Sequence, residues 1–307
     1  MDTTIRRKLK DMVSGKIMFD EPMSRHTSIG VGGIADAIVW PERSEELSRI
    51  INFLWHSQIP FIPVGNGTNL IVKDGGYKGT VISMQGLNNV SLTERGTKEV
   101  LIHAGAGVTL SEIVLQSEKS VLSGMEFCAG IPGSVGGAVR MNAGAWGKEI
   151  KDVVETVESM IISGEILSSK RDDLKFEYRN LDISEGTIII GASFLLTRGI
   201  EEQIHARINE IIGKRKNKHP LEYRNAGSIF KNPKRGIPAG QIIDEMGLKG
   251  IRIGDAKISE KHGNFIVNLG NAKASDIIAL IDMIKTKANE ERGIKLQTEV
   301  KIVGEDG

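Results

Sequence analysis

A glycine-rich stretch, Gly124 to Gly147, has the residue types of a phosphate-binding turn. It reads GMEFCAGIPGSVGGAVRMNAGAWG and contains seven glycines and few bulky side chains. Glycines let a backbone approach a ligand closely and leave its N–H groups open to anions. Pro132 and Ser134 stand where a tight turn would lead into a short helix, with Ser134 as its cap. The stretch predicts a site for a phosphate-bearing ligand, with a tightly packed structural loop as the alternative.

Two single residues outside this stretch have side chains suited to act on such a ligand. Arg179 follows a run of mixed polarity, and from the residues alone a solvated surface arginine is the favoured interpretation. Ser228 lies between Gly227 and Pro233, which indicates an irregular, strained connection. Reactive groups are often placed in connections of this kind.

Near the C-terminus, Glu299 and Lys301 alternate with apolar residues in TEVKIVG. On a strand the two charged side chains would share one face. A sheet with one wet face is the usual outcome, and a carboxylate and an amine aimed together into a cleft is the alternative. Residues 214–235 hold eight Lys or Arg and one acid, Glu222. This run fits a solvated face, a nucleic acid or a diphosphate-bearing small molecule.

Several other chemistries lack their signatures. The six histidines show no metal-ligand spacing, and the single cysteine rules out an internal disulfide. Cys128 has apolar, glycine-rich neighbours, which favours a buried, inert thiol. Ser228 is not in a Gly-x-Ser-x-Gly elbow, so it does not resemble a hydrolase nucleophile. The Gly-x-Gly pairs at 65–67 and 105–107 lack the third glycine of a dinucleotide fingerprint.

Composition indicates an ordinary globular protein of 307 residues with a large core and two domains. Apolar residues make up 40%, charged residues 26%, and the net charge is +1, which gives no general attraction to nucleic acid or membranes. The charged N-terminus is unlike a signal peptide, and no stretch has the length and apolarity of a membrane span. We therefore expect a cytoplasmic protein.

The elements that would position these residues follow from apolar periodicity and from Gly and Pro punctuation. Helices are predicted at 1–20, 44–58, 109–119, 200–217, 238–247 and 273–292. Strands are predicted at 37–40, on both sides of the loop in 61–73, and at 99–104, 153–162, 187–197, 264–268 and 297–303. Strands give way to helices at Gly199, where we place a domain boundary.

Eight segments together resemble one family in their residues and their order. They are SRHTSIGVGGIAD, PVGNGTNLIV, GIPGSVGGAVRMNAGAWG, EYRN, AGSIFKNP, AGQIIDEMGLKG, ISEKHGNFIVN and TEVKIVG. In this order they closely resemble the UDP-N-acetylenolpyruvoylglucosamine reductase (MurB) family, flavoenzymes of bacterial peptidoglycan synthesis, from about Ser24 to Gly304. A longer branch of the family has an inserted loop with a substrate-clamping tyrosine. This chain has no room for that loop and resembles the shorter branch.

The resemblance implies an α+β fold: an FAD-binding domain of the vanillyl-alcohol-oxidase (PCMH) type at 1–198 and a smaller α+β substrate-binding domain at 199–307. Two loops would cradle the diphosphate of non-covalently bound FAD, formed by Gly65, Asn66, Gly67, Thr68 and Asn69 and by Gly130, Ile131, Pro132, Gly133, Ser134 and Gly137. Asn142, Ala143 and Gly144 would lie along the flavin, and Arg215 would also contact it. Thr68 replaces the usual Ser but keeps a hydroxyl.

The resemblance also implies the reaction. NADPH would reduce FAD, and the reduced flavin would give hydride to C3 of the enolpyruvyl group of the sugar nucleotide. Arg179 would bind the carboxylate of the resulting enolate, Glu299 would share a hydrogen with it if burial raised its pKa, and Ser228 would protonate C2. Substrate phosphates or carboxylate would contact Lys218, Asn232, His262 and Lys301. His262 departs from the glutamine common at its position.

Two other functions are weighed against this one. A flavin-dependent oxidase of small alcohols on the same FAD domain would leave Arg179, Ser228 and Glu299 without a role. A non-catalytic protein that binds nucleotides or nucleic acid through residues 214–235 would give no reason for the glycine loops, and its binding would fall steeply with salt. The reductase accounts for both sets of residues. Its partners are the enolpyruvyl sugar nucleotide and NADPH, with no nucleic acid, membrane or metal.

Overall fold

The computed structural model describes residues 1–233 and 236–307, and these form seven α-helices and twenty strands. The helices are α1 (Thr3–Met12), α2 (Ser44–His56), α3 (Leu110–Lys119), α4 (Val135–Arg140), α5 (Glu201–Lys218), α6 (Ala239–Glu245) and α7 (Ala274–Arg292). The strands are β1 (Ile17–Pro22), β2 (Ile34–Val39), β3 (Phe61–Val64), β4 (Leu70–Val72), β5 (Tyr77–Ser83), β6 (Val90–Arg95), β7 (Glu99–Gly105), β8 (Leu122–Ser123), β9 (Gly144–Ala145), β10 (Lys148–Glu149), β11 (Val154–Met160), β12 (Ile166–Lys170), β13 (Lys175–Glu177), β14 (Asn180–Asp182), β15 (Ile188–Arg198), β16 (Arg224–Asn225), β17 (Arg252–Ile253), β18 (Ala256–Ile258), β19 (Ile266–Asn268) and β20 (Lys301–Val303).

The chain divides into two compact units that are each discontinuous in sequence. The first unit comprises residues 1–19, 37–66 and 79–214, and the second comprises residues 20–36, 67–78 and 215–307. This division differs from the predicted single boundary at Gly199, because most of α5 belongs to the first unit. Apolar residues of α5, including Ile204 and Ile208, pack into a core of that unit.

The first unit is built on an antiparallel sheet in the order β12-β11-β15-β7-β6, in which β8 also pairs with β15. β15 is buried along most of its length because α4 packs against it. A second core forms around α2, whose Leu47, Ile50 and Leu54 recur at helical spacing and are fully buried. In the same unit β3 and β5 pair in parallel. The sheet and its cores fix the ends of α4, from which the candidate site is built.

The second unit has a smaller antiparallel sheet in the order β16-β19-β18-β17. α7 packs on β17 and β18 and also contacts α6. Apolar residues on one face of α7, among them Ile277, Ile281 and Ile284, are fully buried in this core. A separate parallel pair, β4 with β20, places Lys301 opposite Leu70.

Most predicted elements are present, and two differ. The predicted N-terminal helix at 1–20 ends at Met12, and from Ile17 the chain is strand β1. The predicted terminal strand at 297–303 is regular only from Lys301, so Glu299 and Lys301 do not share one strand face. The segment before Lys301 bonds instead to the Ser228 segment: Thr298 forms a β-bridge with Phe230.

Candidate active site

The glycine-rich turn of the first unit leads into α4 as predicted. Gly130 and Gly133 have φ values of +69° and +140°. The turn is held to the loop between β7 and α3, because the N–H groups of Val135 and Gly136 donate to the Val108 and Ala106 carbonyls at 2.8 and 2.9 Å. This anchoring fixes the position of Ser134, the residue before the helix.

Ser134 occupies the predicted cap position, but its side chain makes no capping bond. Its residue is 2% exposed, and its Oγ has no hydrogen-bond partner among the described residues. Gly65 approaches it so closely that a Cβ at Gly65 would lie 2.1 Å from this oxygen. A Cβ at Gly137 would meet only the same oxygen, at 3.8 Å. The two glycines therefore leave the Ser134 hydroxyl uncovered by side chains.

The loop at 65–69 uses its side chains within the protein. Asn66 Oδ1 accepts a hydrogen bond from Gln85 Nε2 at 3.4 Å, and Asn69 Nδ2 donates to the Glu299 carbonyl at 3.1 Å. Gly67 has φ +62°, and a Cβ there would lie 2.1 Å from the His26 carbonyl oxygen. The Asn66 amide oxygen and the Asn69 amide nitrogen therefore have partners within the protein.

Asn142 is fully buried, and its side chain is engaged by the protein. Its Nδ2 donates to Glu149 Oε2 and to the Glu177 carbonyl, both at 3.0 Å, and its Oδ1 accepts the Lys151 N–H at 3.1 Å. The side chain thus ties the end of α4 to β13. Next in sequence, the Ala143 N–H donates to the Ala138 carbonyl at 2.8 Å.

Arg179 lies in the two-residue loop between β13 and β14 and is half-buried. Its Nη2 donates to the Gly144 carbonyl at 3.1 Å, and its guanidinium lies 5.2 Å from the Tyr178 ring centroid. The interpretation of a solvated surface arginine, favoured by the residues alone, is therefore wrong. The contact that overturns it joins positions 35 residues apart, which local sequence does not show.

Ser228 lies in an irregular segment of the second unit, as predicted. Gly227 has φ +74°, and its N–H donates to Asn225 Oδ1 at 3.0 Å. After Ser228, Asn264 holds the backbone: Phe230 N donates to Asn264 Oδ1 at 2.9 Å, and Asn264 Nδ2 donates back to the Phe230 carbonyl at 2.8 Å. This reciprocal pair fixes the segment while leaving Ser228 half-buried.

Glu299 runs beside the Ser228 segment. Its N–H donates to the Ile229 carbonyl at 2.8 Å, one residue after Ser228. Lys301 is exposed, and its N–H donates to the Asn69 carbonyl at 3.1 Å. The fold of the second unit thus brings together two of the three predicted catalytic residues, which are 71 positions apart in the sequence.

The four predicted substrate contacts and Arg215 all lie in the second unit. Lys218 is exposed at the end of α5, whereas Arg215, one turn earlier, is 8% exposed. Asn232 is exposed, but its Oδ1 accepts the Ala239 N–H at 3.0 Å at the start of α6. The last two members of the basic run, Lys234 and Arg235, lie outside the described residues.

His262 belongs to a ring cluster that the sequence did not reveal. Its ring centroid lies 5.7 Å from that of His219, and both rings pack on Phe265 at 5.0 and 4.9 Å. Burial is the largest cause that lowers the pKa of His219, which falls to about 4. The positive charges of neighbouring groups, among them Arg215 and Lys218, lower it further. Burial and the charge of Lys249 also lower the pKa of His262.

In the part of the chain that the structure describes, His, Cys, Asp and Glu side chains form no group of three or more suited to a metal ion. Across residues 1–233 and 236–307, every helix is too short or too polar to cross a membrane.

Comparison with known proteins identifies the family. Residues 219–303 match the sequence model of the UDP-N-acetylenolpyruvoylglucosamine reductase C-terminal domain, and residues 35–170 match that of an FAD binding domain. The UDP-N-acetylenolpyruvoylglucosamine reductase of Syntrophus aciditrophicus is 54% identical over 100% of this chain and 98% of its own length. That of Caldanaerobacter subterraneus subsp. tengcongensis is 45% identical over 97% of each chain.

This chain belongs to the UDP-N-acetylenolpyruvoylglucosamine reductase family. The crystal structure of the reductase from Thermus caldophilus superposes with a TM-score of 0.80 at 35% identity, over 94% of this chain and 98% of that one. The predicted fold class, an FAD-binding domain joined to the reductase C-terminal domain, is confirmed. Its length fits the shorter branch of the reductases.

The glycine turn of this reductase fits the FAD that the family uses. A buried hydroxyl without a hydrogen bond destabilises the folded protein by on the order of 1–3 kcal/mol, so a ligand that hydrogen-bonds Ser134 Oγ would be favoured. A phosphate oxygen would supply a strong acceptor, and because positions 65 and 137 are glycines, no side-chain carbon at either position stands against the hydroxyl. The chemistry of the turn therefore fits a phosphate group of that cofactor.

Two residues that contact predicted site segments were missed by sequence reasoning. Asn264 and His219 both contact predicted site segments, yet neither was singled out. His219 stands in the basic run directly before Pro220, and this was the available signal. Asn264 had no local signal, because its partner Phe230 is 34 residues away.

Proposed function

We propose that this protein reduces UDP-N-acetylenolpyruvoylglucosamine to UDP-N-acetylmuramate with NADPH as the reductant, in peptidoglycan precursor synthesis in the cytoplasm. Full-length similarity to reductases of that name supports the substrate. The observation that carries the proposal is the adjacency of Ser228 and Glu299, since the Glu299 N–H donates to the carbonyl of Ile229, the residue after Ser228. A proton donor and a carboxyl group on neighbouring segments suit the protonation of an enolate.

FAD would be held through backbone groups of the two glycine loops and through the Ser134 hydroxyl. FAD bound there supplies the hydride chemistry that links NADPH oxidation to substrate reduction. The diphosphate would lie at 65–69 and at Gly130, Ile131, Pro132, Gly133, Ser134 and Gly137. Asn142 would contribute by fixing the backbone of Ala143 and Gly144, because its own side chain is bonded inside the protein. Arg215 would also contact the cofactor.

Arg179 would bind the carboxylate of the enolpyruvyl group. Negative charge develops on C2 and the carboxylate as C3 gains a hydride, and a guanidinium with paired N–H donors stabilises such charge better than it stabilises the neutral alkene. The bond from Arg179 Nη2 to the Gly144 carbonyl would fix the guanidinium beforehand. Such preorganisation avoids the cost of orienting the donor during the reaction.

Ser228 would give its hydroxyl proton to C2 of the enolate, while Glu299, in its protonated form, would donate a hydrogen bond to the developing negative charge. A serine hydroxyl is a weak acid, but an enolate carbon is strongly basic. The hydrogen bonds between Phe230 and Asn264 would fix the backbone after Ser228, so that the proton has a short distance to travel to C2. Lys218, Asn232, His262 and Lys301 would contact the substrate phosphates or carboxylate. Because the pKa of His262 is lowered, it would bind as a neutral imidazole that donates one hydrogen bond.

Replacement of the proposed acid tests this assignment. General acid catalysis contributes about 10²–10⁴-fold, so Ser228→Ala should slow flavin reoxidation by the enolpyruvyl substrate by that order. Flavin reduction by NADPH should remain at the wild-type rate. Ser228→Cys keeps an ionisable hydrogen and should retain part of the activity. Equal slowing of both half-reactions in Ser228→Ala would reject the role of Ser228.

A further inference from the structure

The hairpin that carries Arg179 has a backbone that its own sequence does not favour. Glu177 pairs with Asn180, which leaves Tyr178 and Arg179 as the loop. Arg179 has φ +56°, at a turn position where glycine is usual. The left-handed conformation costs a residue with a side chain about 1–2 kcal/mol. It persists only where surrounding contacts hold the chain in place.

Part of that support comes from the segment after α4. The carbonyl of Glu177, just before the loop, accepts a hydrogen bond from Asn142 Nδ2 at 3.0 Å. Arg179 itself donates to the Gly144 carbonyl at 3.1 Å. These two contacts secure the strand that enters the loop and the arginine head group. They do not secure the strand that leaves it.

Arg140 supplies the support on the leaving strand. It is the last residue of α4, and its Nη1 donates to Asn180 Oδ1 at 3.0 Å and also to the Leu181 carbonyl. These acceptors belong to the first and second residues after Arg179. Leu181 is fully buried, so the anchor point is rigid. A lysine carries its ammonium on a flexible four-carbon stem, so it would hold the two acceptors less firmly.

We propose that Arg140 is a positioning residue for Arg179. It joins the helix that begins at the Ser134 turn to the strand leaving the arginine loop, and it thereby fixes the left-handed backbone that directs the guanidinium. The inference rests on the proposed role of Arg179 in binding the substrate carboxylate. A purely structural role for Arg140 would stabilise the hairpin without affecting one half-reaction more than the other.

The test measures the two half-reactions of the holoenzyme separately by anaerobic rapid mixing. Arg140→Ala should retain the wild-type visible flavin spectrum and the wild-type rate of reduction by NADPH. Displacement of a positioned group by about 1 Å costs up to 10²-fold, so flavin reoxidation by the enolpyruvyl substrate should slow by roughly 10–100-fold. The rate of flavin reoxidation in Arg140→Lys should lie between those of the wild type and Arg140→Ala. Asn180→Ala, which removes one acceptor, should show the same pattern more weakly and serves if Arg140→Ala does not fold.

A double variant and a matched control decide between the explanations. Because Arg140 acts through Arg179, Arg140→Ala combined with Arg179→Ala should be no slower than Arg179→Ala alone. Arg171→Ala removes an arginine at the base of the same hairpin, where it donates to the Lys151 and Leu174 carbonyls at 2.8 and 3.3 Å, and should leave both half-reactions within about twofold.

Multiplying effects in the double variant would overturn the proposal, as would a selective loss in Arg171→Ala equal to that of Arg140→Ala. Wild-type reoxidation in Arg140→Ala alongside slow reoxidation in Arg179→Ala would overturn the positioning role and keep the proposed function. Wild-type reoxidation in Arg179→Ala would overturn the proposed role of Arg179 together with the inference built on it.

Discussion

The side-chain amide of Asn69 donates a hydrogen bond of 3.1 Å to the backbone carbonyl of Glu299. The N–H of Lys301 donates in turn to the Asn69 carbonyl at 3.1 Å, and from there β20 runs parallel to β4. Asn69 and the segment that carries Glu299 are therefore parts of one bonded arrangement in the second unit. Asn69 has a direct structural role towards Glu299 that is separable from the cradling of a cofactor.

Asn69→Ala should affect substrate reduction more than FAD binding. The variant loses one hydrogen bond, which contributes on the order of 1 kcal/mol, so flavin reoxidation by substrate should slow about fivefold. FAD affinity should change less than twofold, because the Asn69 side-chain nitrogen is bonded to the Glu299 carbonyl. Titration of apoprotein with FAD and rapid mixing with substrate provide the two values. A large loss of FAD affinity with normal reoxidation would contradict the assignment.

Gly65→Ala should abolish FAD retention, because its Cβ would lie 2.1 Å from Ser134 Oγ. The double variant Gly65→Ala with Ser134→Gly relieves this clash but lacks the hydroxyl, so it should recover the fold and bind FAD weakly. Gly213→Ala is the matched control: it lies in α5 with no atom within 4 Å of the new Cβ, and alanine is favoured there by up to about 1 kcal/mol. Flavin absorbance after gel filtration gives the bound fraction. Full retention by Gly65→Ala would place the cofactor elsewhere.

The pH dependence of stability should reflect His219. Its pKa of about 4 lies below the ordinary value of 6.5, so between these values the unfolded chain binds more protons. The stabilisation is fully present above pH 6.5 and is lost as the pH falls towards 4. His219→Gln removes this titration. It should shrink the fall in Tm between about pH 7.5 and pH 5 by about 2–4 °C, a range that allows for the solvent near the ring.

The exposed residue His56 provides the control for that measurement, because His56→Gln changes a histidine outside the cluster. Thermal unfolding followed by circular dichroism at both pH values gives the Tm differences. If the Tm of His219→Gln and the Tm of the wild type fall by the same amount, His219 does not contribute to the loss of stability in acid.

Asp74 should stabilise the second unit through the start of α7. Its carboxylate accepts the N–H groups of Ala274 and Ser275 at 2.8 and 2.9 Å. Partial burial raises the pKa of Asp74, but hydrogen bonds from Ser275 and Ala274 and the charge of Lys273 outweigh burial and leave it lowered. Asp74→Ala should cost about 1–2 kcal/mol of unfolding free energy at neutral pH.

Asp74→Asn keeps an acceptor without the charge, so it should lose less than Asp74→Ala. The loss in Asp74→Ala should shrink as the pH falls below the ordinary pKa of 3.8, because protonation removes the same charge from the wild type. Urea unfolding at several pH values measures both effects. Equal stabilities of Asp74→Ala and the wild type at neutral pH would show that the helix start has other support.

The sequence predicted correctly those elements that depend on residue types and apolar spacing within one segment. The glycine turn, α2 and α7 follow from residue types within one segment. The apparent surface arginine at 179 and the strand expected at 297–303 failed, because their outcomes depend on Gly144 and on Ile229, which are distant in sequence. The family resemblance supplied the proposed catalytic residues, and the structure added residues that bond to their segments, Arg140, Asn142 and Asn264. Such contacts are hydrogen bonds between remote positions, which neither periodicity nor composition encodes.

Anaerobic absorption spectroscopy of the purified protein tests the central claim most directly. NADPH is added first, and UDP-N-acetylenolpyruvoylglucosamine is added once the flavin bands have bleached. The account predicts that the oxidised flavin spectrum returns without oxygen, in proportion to the substrate added, with formation of UDP-N-acetylmuramate. Flavin that is reoxidised only when oxygen is admitted, or a protein that binds no FAD at all, would contradict it.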